Sequence, residues 1–248
     1  MPADSLTLIA LVFVVAGWVK GVVGLGLPTV AMGALGLVMA PAQAAALLVL
    51  PSLVTNVWQL LAGPSLLGVL RRLAVVMVFI CLGTALGIGF MTQGASRWPS
   101  LLLGIVLAAY GVIGLFAPRL AVSRRHETWL GPLVGCATGL LTGATGVFVV
   151  PAVPYLSALG LSKDELVQAL GLSFTVSTVA LAGGLLAAGS FRAGLALGSL
   201  AAVIPALLGM FIGQALRSRL DPVAFRRWFF WAMILVGLYM AARATLTM

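Results

Sequence analysis

The sequence is poor in charged residues and poorest in acidic ones. Only 8% of its 248 residues are charged, and these include just five Asp or Glu. Soluble domains carry about 25% charged residues. This chain instead has 62% hydrophobic residues and a mean hydropathy of +1.20. The composition therefore excludes a soluble globular protein and indicates an integral membrane protein.

Histidine and cysteine are almost absent, which leaves few groups for enzymatic chemistry. The single histidine, His126, stands beside Glu127 in the polar stretch PRLAVSRRHETW at 118–129, where we expect a solvated loop side chain. The chain has no HExxH motif, no paired aspartates in an apolar run and no serine and histidine in one apolar region. Cys81 and Cys136 lack metal-ligand spacing, and we expect both to be small buried apolar side chains. We predict neither an enzyme nor a cofactor or metal.

The few acidic residues are all expected in the N-terminal stretch or in connections between membrane elements. They are Asp4, Glu127, Asp164, Glu165 and Asp221. No carboxylate is then available inside the membrane for an Asp/Glu proton relay. Coupling to protons would have to use the substrate's own titration or bound water, and a voltage-driven anion flux is equally allowed.

Apolar runs dominate what is present, and they divide the chain into two sets of five elements. A spanning helix needs about 20 mainly apolar residues. The predicted elements are 5–23, 28–40, 42–62, 69–92 and 98–118, then 129–147, 150–160, 166–188, 193–216 and 226–247. We predict an all-α polytopic membrane protein with one membrane domain, in which the first repeat is 1–118, a connecting loop is 119–128 and the second repeat is 129–248.

A glycine triplet occurs twice at the same internal spacing, in GWVKGVVG at 17–24 and in GLLTGATG at 139–146. Further landmarks recur in the same order at offsets of 122 to 126 residues: Pro28 and Pro151, Gln43 and Gln168, GTALG at 83–87 and PALLG at 205–209, Gly111 and Gly237. This order argues for an internal duplication. Glycines at i, i+4 and i+7 share one helix face, so each triplet predicts a strip where another backbone approaches closely.

The net charge of +9 comes from basic residues in short connections, which is typical of membrane orientation rather than of nucleic-acid binding. With five crossings per half, ten basic residues fall on one side and only Arg97, Arg192 and Arg243 on the other. With four crossings per half, they divide almost evenly. The positive-inside rule therefore favours five crossings, two halves inverted relative to each other, and both termini outside the cytoplasm.

Each glycine triplet runs into a helix-weakening sequence, GLGLP at 24–28 or GVFVVP at 146–151, and then into a short element. Short, Gly/Pro-interrupted segments at corresponding positions of two halves are typical of a transporter's binding site. Amide groups at the N-termini of such half-helices favour an anion. We therefore expect the triplets to mark the two halves of one substrate site at the repeat interface.

Polar residues inside apolar segments supply the candidate side chains. Lys20 is the only charged residue deep in an apolar segment, where lysine costs about 2.5 to 3.5 kcal/mol on insertion scales, and its counterpart is Thr142. Binding a substrate anion is the hypothesis for Lys20, and snorkelling to the membrane surface is the alternative. The other predicted substrate-binding residues are Gly21, Gly24, Gly143, Gly146, Thr55, Asn56, Gln59, Ser173 and Ser177. Thr178 is expected on the same face as the two serines, and for serine and threonine a bond to their own helix backbone is the alternative.

The segments GWVKGVVGLGLP and LPSLVTNVWQLLAG, repeated as GLLTGATGVFVVP and GLSFTVSTVALAGG, resemble the sulfite exporter TauE/SafE family of membrane transporters. The second copy departs from the first by having Phe148 where the first has Gly26. The resemblance implies movement of sulfite, sulfonates or related small organosulfur anions across the cytoplasmic (inner) membrane of a bacterium. A carboxylate or other small anion as the substrate, and a non-transporting membrane scaffold, are the alternatives. The expected partners are a small anionic substrate and the lipid bilayer, without nucleic acid, and homo-oligomerisation is left open.

Overall fold

The computed structural model describes residues 3–92, 97–116 and 121–246, and these ranges contain ten α-helices and no β-strand. The first five helices are α1 (Ala3–Val23), α2 (Leu27–Gly36), α3 (Pro41–Leu61), α4 (Leu66–Thr92) and α5 (Trp98–Phe116). The second five are α6 (Arg124–Thr145), α7 (Ala152–Ala158), α8 (Lys163–Ala187), α9 (Ala193–Leu216) and α10 (Pro222–Leu246). They correspond one to one with the predicted elements, so the predicted all-α fold is confirmed.

Seven of the described helices are long and apolar enough to cross a membrane: α1, α3, α4, α5, α8, α9 and α10. The helix α2 has ten residues and is therefore about 15 Å long, which is shorter than the hydrocarbon core of a bilayer. The helix α7 has seven residues and is shorter still. The chain is a multi-pass membrane protein with one short helix at the corresponding place in each set of five.

The largest difference from the predicted boundaries is at α6, which begins at Arg124, inside the stretch predicted as a loop. An ion pair stabilises its polar first turn, because Arg72 donates to Glu127 through Nη2 at 2.6 Å and through Nε at 3.0 Å. Arg72 Nη2 also donates to the carbonyl of Leu159, just after α7, at 2.9 Å. The hydrophobicity of the sequence does not predict this first turn of α6, since an ion pair rather than apolar packing stabilises it. His126 is exposed as predicted, but it lies in this helical turn rather than in a loop.

Acidic residues expected in connections lie instead in the first turns of helices. Glu127 is in the first turn of α6, and Asp164 and Glu165 are in the first turn of α8. Glu165 forms a capping box with Ser162, in which Ser162 N donates to Glu165 Oε2 at 3.0 Å and Glu165 N donates to Ser162 Oγ at 3.3 Å. Negative charge is favourable at a helix N-terminus, and this local effect extends the helices beyond their apolar runs.

Two pairs of long helices connect the first set of five to the second set, and the two helices of each pair run parallel to each other. The helix α1 packs on α9, and α4 packs on α6. Residue numbers rise together along both contacts: Gly17 faces Ala206, Gly21 faces Gly213, Gly139 faces Ile80 and Gly143 faces Thr84. The two contacts involve corresponding elements, since α6 is the counterpart of α1 and α9 that of α4.

Two other pairs are antiparallel, and each of them joins a helix to its own counterpart. The helix α3 packs on α8, and α5 packs on α10. Residue numbers run in opposite directions along these contacts: Ser52 lies beside Thr178, Leu60 beside Gly171, Gly104 beside Gly237 and Gly111 beside Phe230. Corresponding helices in these pairs therefore point in opposite directions.

The glycine triplets provide the close approach in α1 and α6, but only through two glycines of each three. A Cβ atom at Gly143 would lie 2.5 Å from the carbonyl oxygen of Thr84, and one at Gly21 would overlap a carbonyl of α9. The third glycines, Gly24 and Gly146, have φ of +83° and +74° and lie where their helices end. Residues with a side chain rarely adopt this left-handed backbone conformation. The third glycine of each triplet therefore allows the turn at the end of the helix. The prediction that all three glycines form one packing strip is therefore wrong for the third glycine of each triplet.

The helices α1 and α3 run in the same direction, because both pack parallel on α9. Leu47 of α3 lies beside Ser199 of α9, and Trp58 lies beside Phe211 with ring centroids 6.3 Å apart. The chain between α1 and α3, residues 24–40, must then return toward the side where α1 begins. Its helix α2 is mostly buried, as irregular backbone at membrane depth requires.

Pro51 interrupts the hydrogen-bond ladder inside α3. Proline has no N–H, so the carbonyl of Leu47, four residues earlier, loses its helical donor. Ser199 Oγ donates to Leu47 O at 2.9 Å and accepts from Leu50 N at 3.0 Å. One hydroxyl from α9 thereby bonds two backbone groups of α3 next to Pro51, including the carbonyl that the proline leaves without a donor.

Cys81 is exposed on α4 and Cys136 is half-buried on α6, so the prediction that both are buried is wrong. The same outer surface of α4 carries exposed Val78 and Leu82. Lipid is as apolar as a protein interior, so an apolar run in a membrane protein does not predict burial by other helices.

Candidate functional site

Lys20 lies in the last turn of α1, and its side chain points into the protein with only 4% of its surface exposed. It therefore does not snorkel to the surface. Its ammonium donates to Thr55 Oγ1 at 3.2 Å and to Asn56 Oδ1, both on α3. An ammonium has three donors. Among the described residues these two neutral oxygens are its hydrogen-bond acceptors, and no carboxylate pairs with it.

Asn56 connects Lys20 to a buried polar network that joins three helices. Its Nδ2 donates to Ser52 Oγ at 2.9 Å and to Thr178 Oγ1 of α8 at 3.3 Å. The two hydroxyls of Ser52 and Thr178 are 3.2 Å apart. All of these side chains are buried. Because every polar group of the Asn56 side chain is satisfied, its carbonyl oxygen is fixed toward Lys20.

Backbone bonding by threonine orients the site rather than competing with it. Thr55 Oγ1 lies 2.8 Å from Pro51 O, and Thr178 Oγ1 donates to Phe174 O at 2.7 Å. A hydroxyl has one hydrogen and two lone pairs, so a hydroxyl that donates to its own helix presents only lone pairs to other groups. The oxygen of Thr55 can then accept from the Lys20 ammonium.

Gln59 lies on the same helix as Asn56 but is not hydrogen-bonded to Lys20. Its Nε2 donates to Val167 O of α8 at 3.1 Å, while its buried Oε1 has no partner among the described residues. Gln168 of α8 makes the reciprocal link, because it accepts from Ser65 N at 2.9 Å and donates to Leu60 O at 3.0 Å. These glutamines tie the end of α3 to the beginning of α8.

The second half of the predicted site is polar but carries no charge. Thr142, the counterpart of Lys20, donates to Thr138 O within α6 at 2.7 Å. Ser173 and Ser177 are fully buried one turn apart on α8, and neither hydroxyl has a partner among the described residues. Thr178, expected on the same face as these serines, accepts a hydrogen bond from Asn56 Nδ2.

The four predicted glycines shape the backbone around the polar groups. Gly21 and Gly143 lie in the helix contacts described above. Gly24 N donates to Lys20 O at 2.7 Å, and Gly146 N donates to Thr142 O at 2.8 Å. Corresponding glycines thus close the same turn after corresponding residues in the two halves.

Two phenylalanines make the halves chemically different. Phe148 stands at the position of Gly26, and Phe174 stands 122 residues after Ser52. Both are fully buried, with ring centroids 5.3 Å apart. The first half therefore has a glycine and a serine where the second half has an aromatic pair.

Sequence reasoning missed Ser52, although its position four residues before Asn56 places both on one helical face. The sequence gives no indication of the role of Ser199, apart from the presence of Pro51, which leaves a carbonyl of α3 without a donor. No group of three or more His, Cys, Asp or Glu residues that could hold a metal ion occurs in the described part of the chain. The cluster of Lys20, Thr55, Asn56, Ser52 and Thr178 offers a buried cation on neutral oxygens, which suits binding of an anion.

One protein family matches the chain over most of its length. The family model described as Sulfite exporter TauE/SafE matches residues 9–240, which is nearly the whole chain. Neither the comparison with curated proteins nor that with solved structures returned a match. The membrane helices of the described residues and the family match together identify the chain as a member of the sulfite exporter TauE/SafE family of membrane transporters.

Proposed function

We propose that this protein moves a small sulfur-containing anion, such as sulfite or a sulfonate, across the cytoplasmic membrane of a bacterium. In this proposal, Lys20 binds the anion at the interface between the two halves. The observation that carries the site is the buried ammonium of Lys20, whose hydrogen-bond acceptors among the described residues are the neutral oxygens of Thr55 and Asn56. Family membership supports transport as the activity.

A buried charge that lacks a counter-ion is unfavourable, and hydrogen bonds to neutral oxygens compensate for this only in part. An oxyanion beside Lys20 would add Coulomb attraction and would accept a charge-assisted hydrogen bond from the remaining N–H. The unpartnered hydroxyls of Ser173 and Ser177 can donate to the same kind of ligand. We therefore assign the positive charge to the first half and neutral donors to the second.

Inverted repeats are part of the proposal. The antiparallel packing of α3 on α8 and of α5 on α10 supports them, because corresponding elements then run in opposite directions. Five crossings per half follow if residues 24–40 and their counterpart in the second half each return across the membrane. In this proposal both termini lie outside the cytoplasm, which the distribution of arginines supports.

A carboxylate is the second candidate substrate, since an ammonium recognises negative charge rather than sulfur. Purified protein in liposomes, assayed with sulfite, small sulfonates and simple carboxylates, tests both. We expect flux of a sulfur oxyanion above that of protein-free liposomes. Faster flux of carboxylates would assign the other substrate class, and absence of any anion flux would favour a scaffold and contradict the proposal.

The sharper prediction concerns Lys20→Met, which keeps most of the apolar stem and deletes the charge. We expect the variant to insert and to remain folded, but to bind the transported anion about tenfold more weakly or worse, because a hydrogen bond to a charged group is lost. Lys20→Arg should retain part of the affinity, since the charge survives in another shape. Equilibrium binding to purified protein measures both.

Lys163→Met is the matched control, because Lys163 is the other lysine of the chain and lies exposed at the start of α8. The substitution and the change in net charge are identical. Affinity should stay at the wild-type value in this control. Equal affinities of Lys20→Met and wild type would remove Lys20 from the site and leave the amide groups, Asn56 and the α8 serines as its candidates.

A further inference from the structure

A cavity of about 580 Å³ opens between the end of α1 and the helices α5, α7, α8 and α10. Most of its wall is apolar, with contributions from Val22, Leu25, Val153, Leu170 and Phe230. Its size falls in the range of small-molecule sites, which are mostly apolar with a few polar groups. The polar groups of this cavity are therefore informative about what it binds.

Two arginines line the cavity, Arg217 after α9 and Arg226 in α10. Both residues are exposed, and neither forms an ion pair with a carboxylate in the described part of the chain. Arg226 lies over the ring of Phe230, with 5.8 Å between Cζ and the ring centroid. Guanidinium groups bind carboxylates, sulfonates and phosphates through planar, paired hydrogen bonds.

Tyr110 of α5 also lines the cavity, and its hydroxyl is a further polar group available to a ligand. Only 2% of its surface is exposed, and its hydroxyl has no hydrogen-bond partner among the described residues. A buried hydroxyl without a partner is unfavourable unless a water or a ligand satisfies it. Its ring is held by edge contacts with Phe229 and Phe230, at centroid distances of 6.1 and 5.3 Å.

The wall of the cavity includes the end of α1 that follows Lys20. Val23 of its wall follows Lys20 by three residues, which is less than one helical turn. Val167, also in its wall, accepts the hydrogen bond from Gln59 through its carbonyl. A ligand in this cavity is thus next to the elements that hold Lys20.

We propose that this cavity, the vestibule, is a second anion site that binds an oxyanion head with a short apolar chain. Arg217 and Arg226 bind the oxyanion, Tyr110 donates a hydrogen bond to it, and the apolar wall covers the chain. Delivery of the anion from the vestibule to Lys20 rests on the proposed transport function. Binding in the vestibule does not depend on that function.

The probe for this site is propane-1-sulfonate, with inorganic sulfite as the analogue that lacks a chain. Binding is measured calorimetrically on full-length protein in phosphatidylcholine nanodiscs, which carry no net lipid charge. We expect propane-1-sulfonate to bind more tightly than sulfite. Arg217→Gln and Arg226→Gln should each weaken its binding about tenfold. Tyr110→Phe, which removes only the unpartnered hydroxyl, should weaken it less.

The matched control is the double variant Arg219→Gln/Arg227→Gln, which removes two exposed arginines outside the vestibule wall. Its net charge equals that of Arg217→Gln/Arg226→Gln. Equal losses in the two double variants would mean general surface attraction and would overturn the proposal. Equal affinity for sulfite and propane-1-sulfonate would also overturn it, because the apolar wall would then contribute nothing.

Nanodiscs that contain phosphatidylglycerol separate a soluble anion from a lipid headgroup. Retained binding of propane-1-sulfonate supports the proposal, and its abolition would assign the vestibule to the lipid phosphate instead. Failure of the transport proposal has a different signature. In that case liposomes that contain the wild-type protein show no anion flux, while the vestibule variants still bind propane-1-sulfonate more weakly than their control.

Discussion

At the scale of single residues, two buried serines show how a hydroxyl's partners decide its contribution. Ser199 makes two hydrogen bonds to the backbone of α3 beside Pro51, whereas the hydroxyl of Ser173 has no partner among the described residues. We expect Ser199→Ala to lower the free energy of unfolding by about 1 to 3 kcal/mol, because it leaves buried backbone groups unsatisfied. Thermal unfolding of the purified variant in detergent measures the change.

Ser173→Ala is the comparison for the same substitution, and it should be neutral or slightly stabilising, because no protein hydrogen bond is lost. If the serine binds substrate as proposed, this variant loses anion affinity while keeping its thermal stability. A melting temperature lowered as much as in Ser199→Ala would mean that Ser173 has a structural partner and would contradict this assignment.

At the scale of helices, glycine contacts hold the two halves together. A Cβ at Gly143 would lie 2.5 Å from the backbone oxygen of Thr84, whereas one at Gly183 of α8 would meet nothing within 4 Å. We expect Gly143→Ala to destabilise the protein by about 1 to 3 kcal/mol, because α4 and α6 must move apart. Gly183→Ala should be neutral or stabilising by up to about 1 kcal/mol, through helix propensity alone.

Yield after membrane extraction and thermal unfolding compare these two alanine variants directly. The same added methyl group is present in both, so the difference isolates the helix contact. Similar stability of Gly143→Ala and Gly183→Ala would refute the close packing of α4 on α6.

At the scale of the whole molecule, the arginine distribution predicts how the protein lies in the membrane. Arg192 is exposed at the start of α9, on the side with few basic residues. In a background without Cys81 and Cys136, we expect Arg192→Cys in whole cells to react with a membrane-impermeant thiol reagent. Arg219→Cys, on the arginine-rich side, should react only after the membrane is opened. The reverse pattern would invert the proposed orientation.

The amino-acid sequence alone determined the class of the protein and the positions of the ten helices among the described residues, and it predicted an internal duplication. Hydrophobicity and glycine spacing are local properties, and local properties are sufficient to place helices such as α3 and α9 almost to the residue. Gly24 and Gly146 close equivalent turns 122 residues apart, which agrees with the predicted duplication. The sequence predicts Lys20 as a candidate binding residue, because a charge inside an apolar run is unfavourable whichever way the helix is rotated.

Only the tertiary structure decided which groups surround Lys20. Thr55 and Asn56 lie 35 and 36 residues away in the chain, and Thr178 joins them while Ser177 does not. Such contacts depend on how each helix is rotated about its axis. In a soluble protein the contrast between polar and apolar faces sets that rotation. In a membrane the lipid-facing and protein-facing surfaces are both apolar, so rotation is set by close packing at glycines and by buried hydrogen bonds between helices.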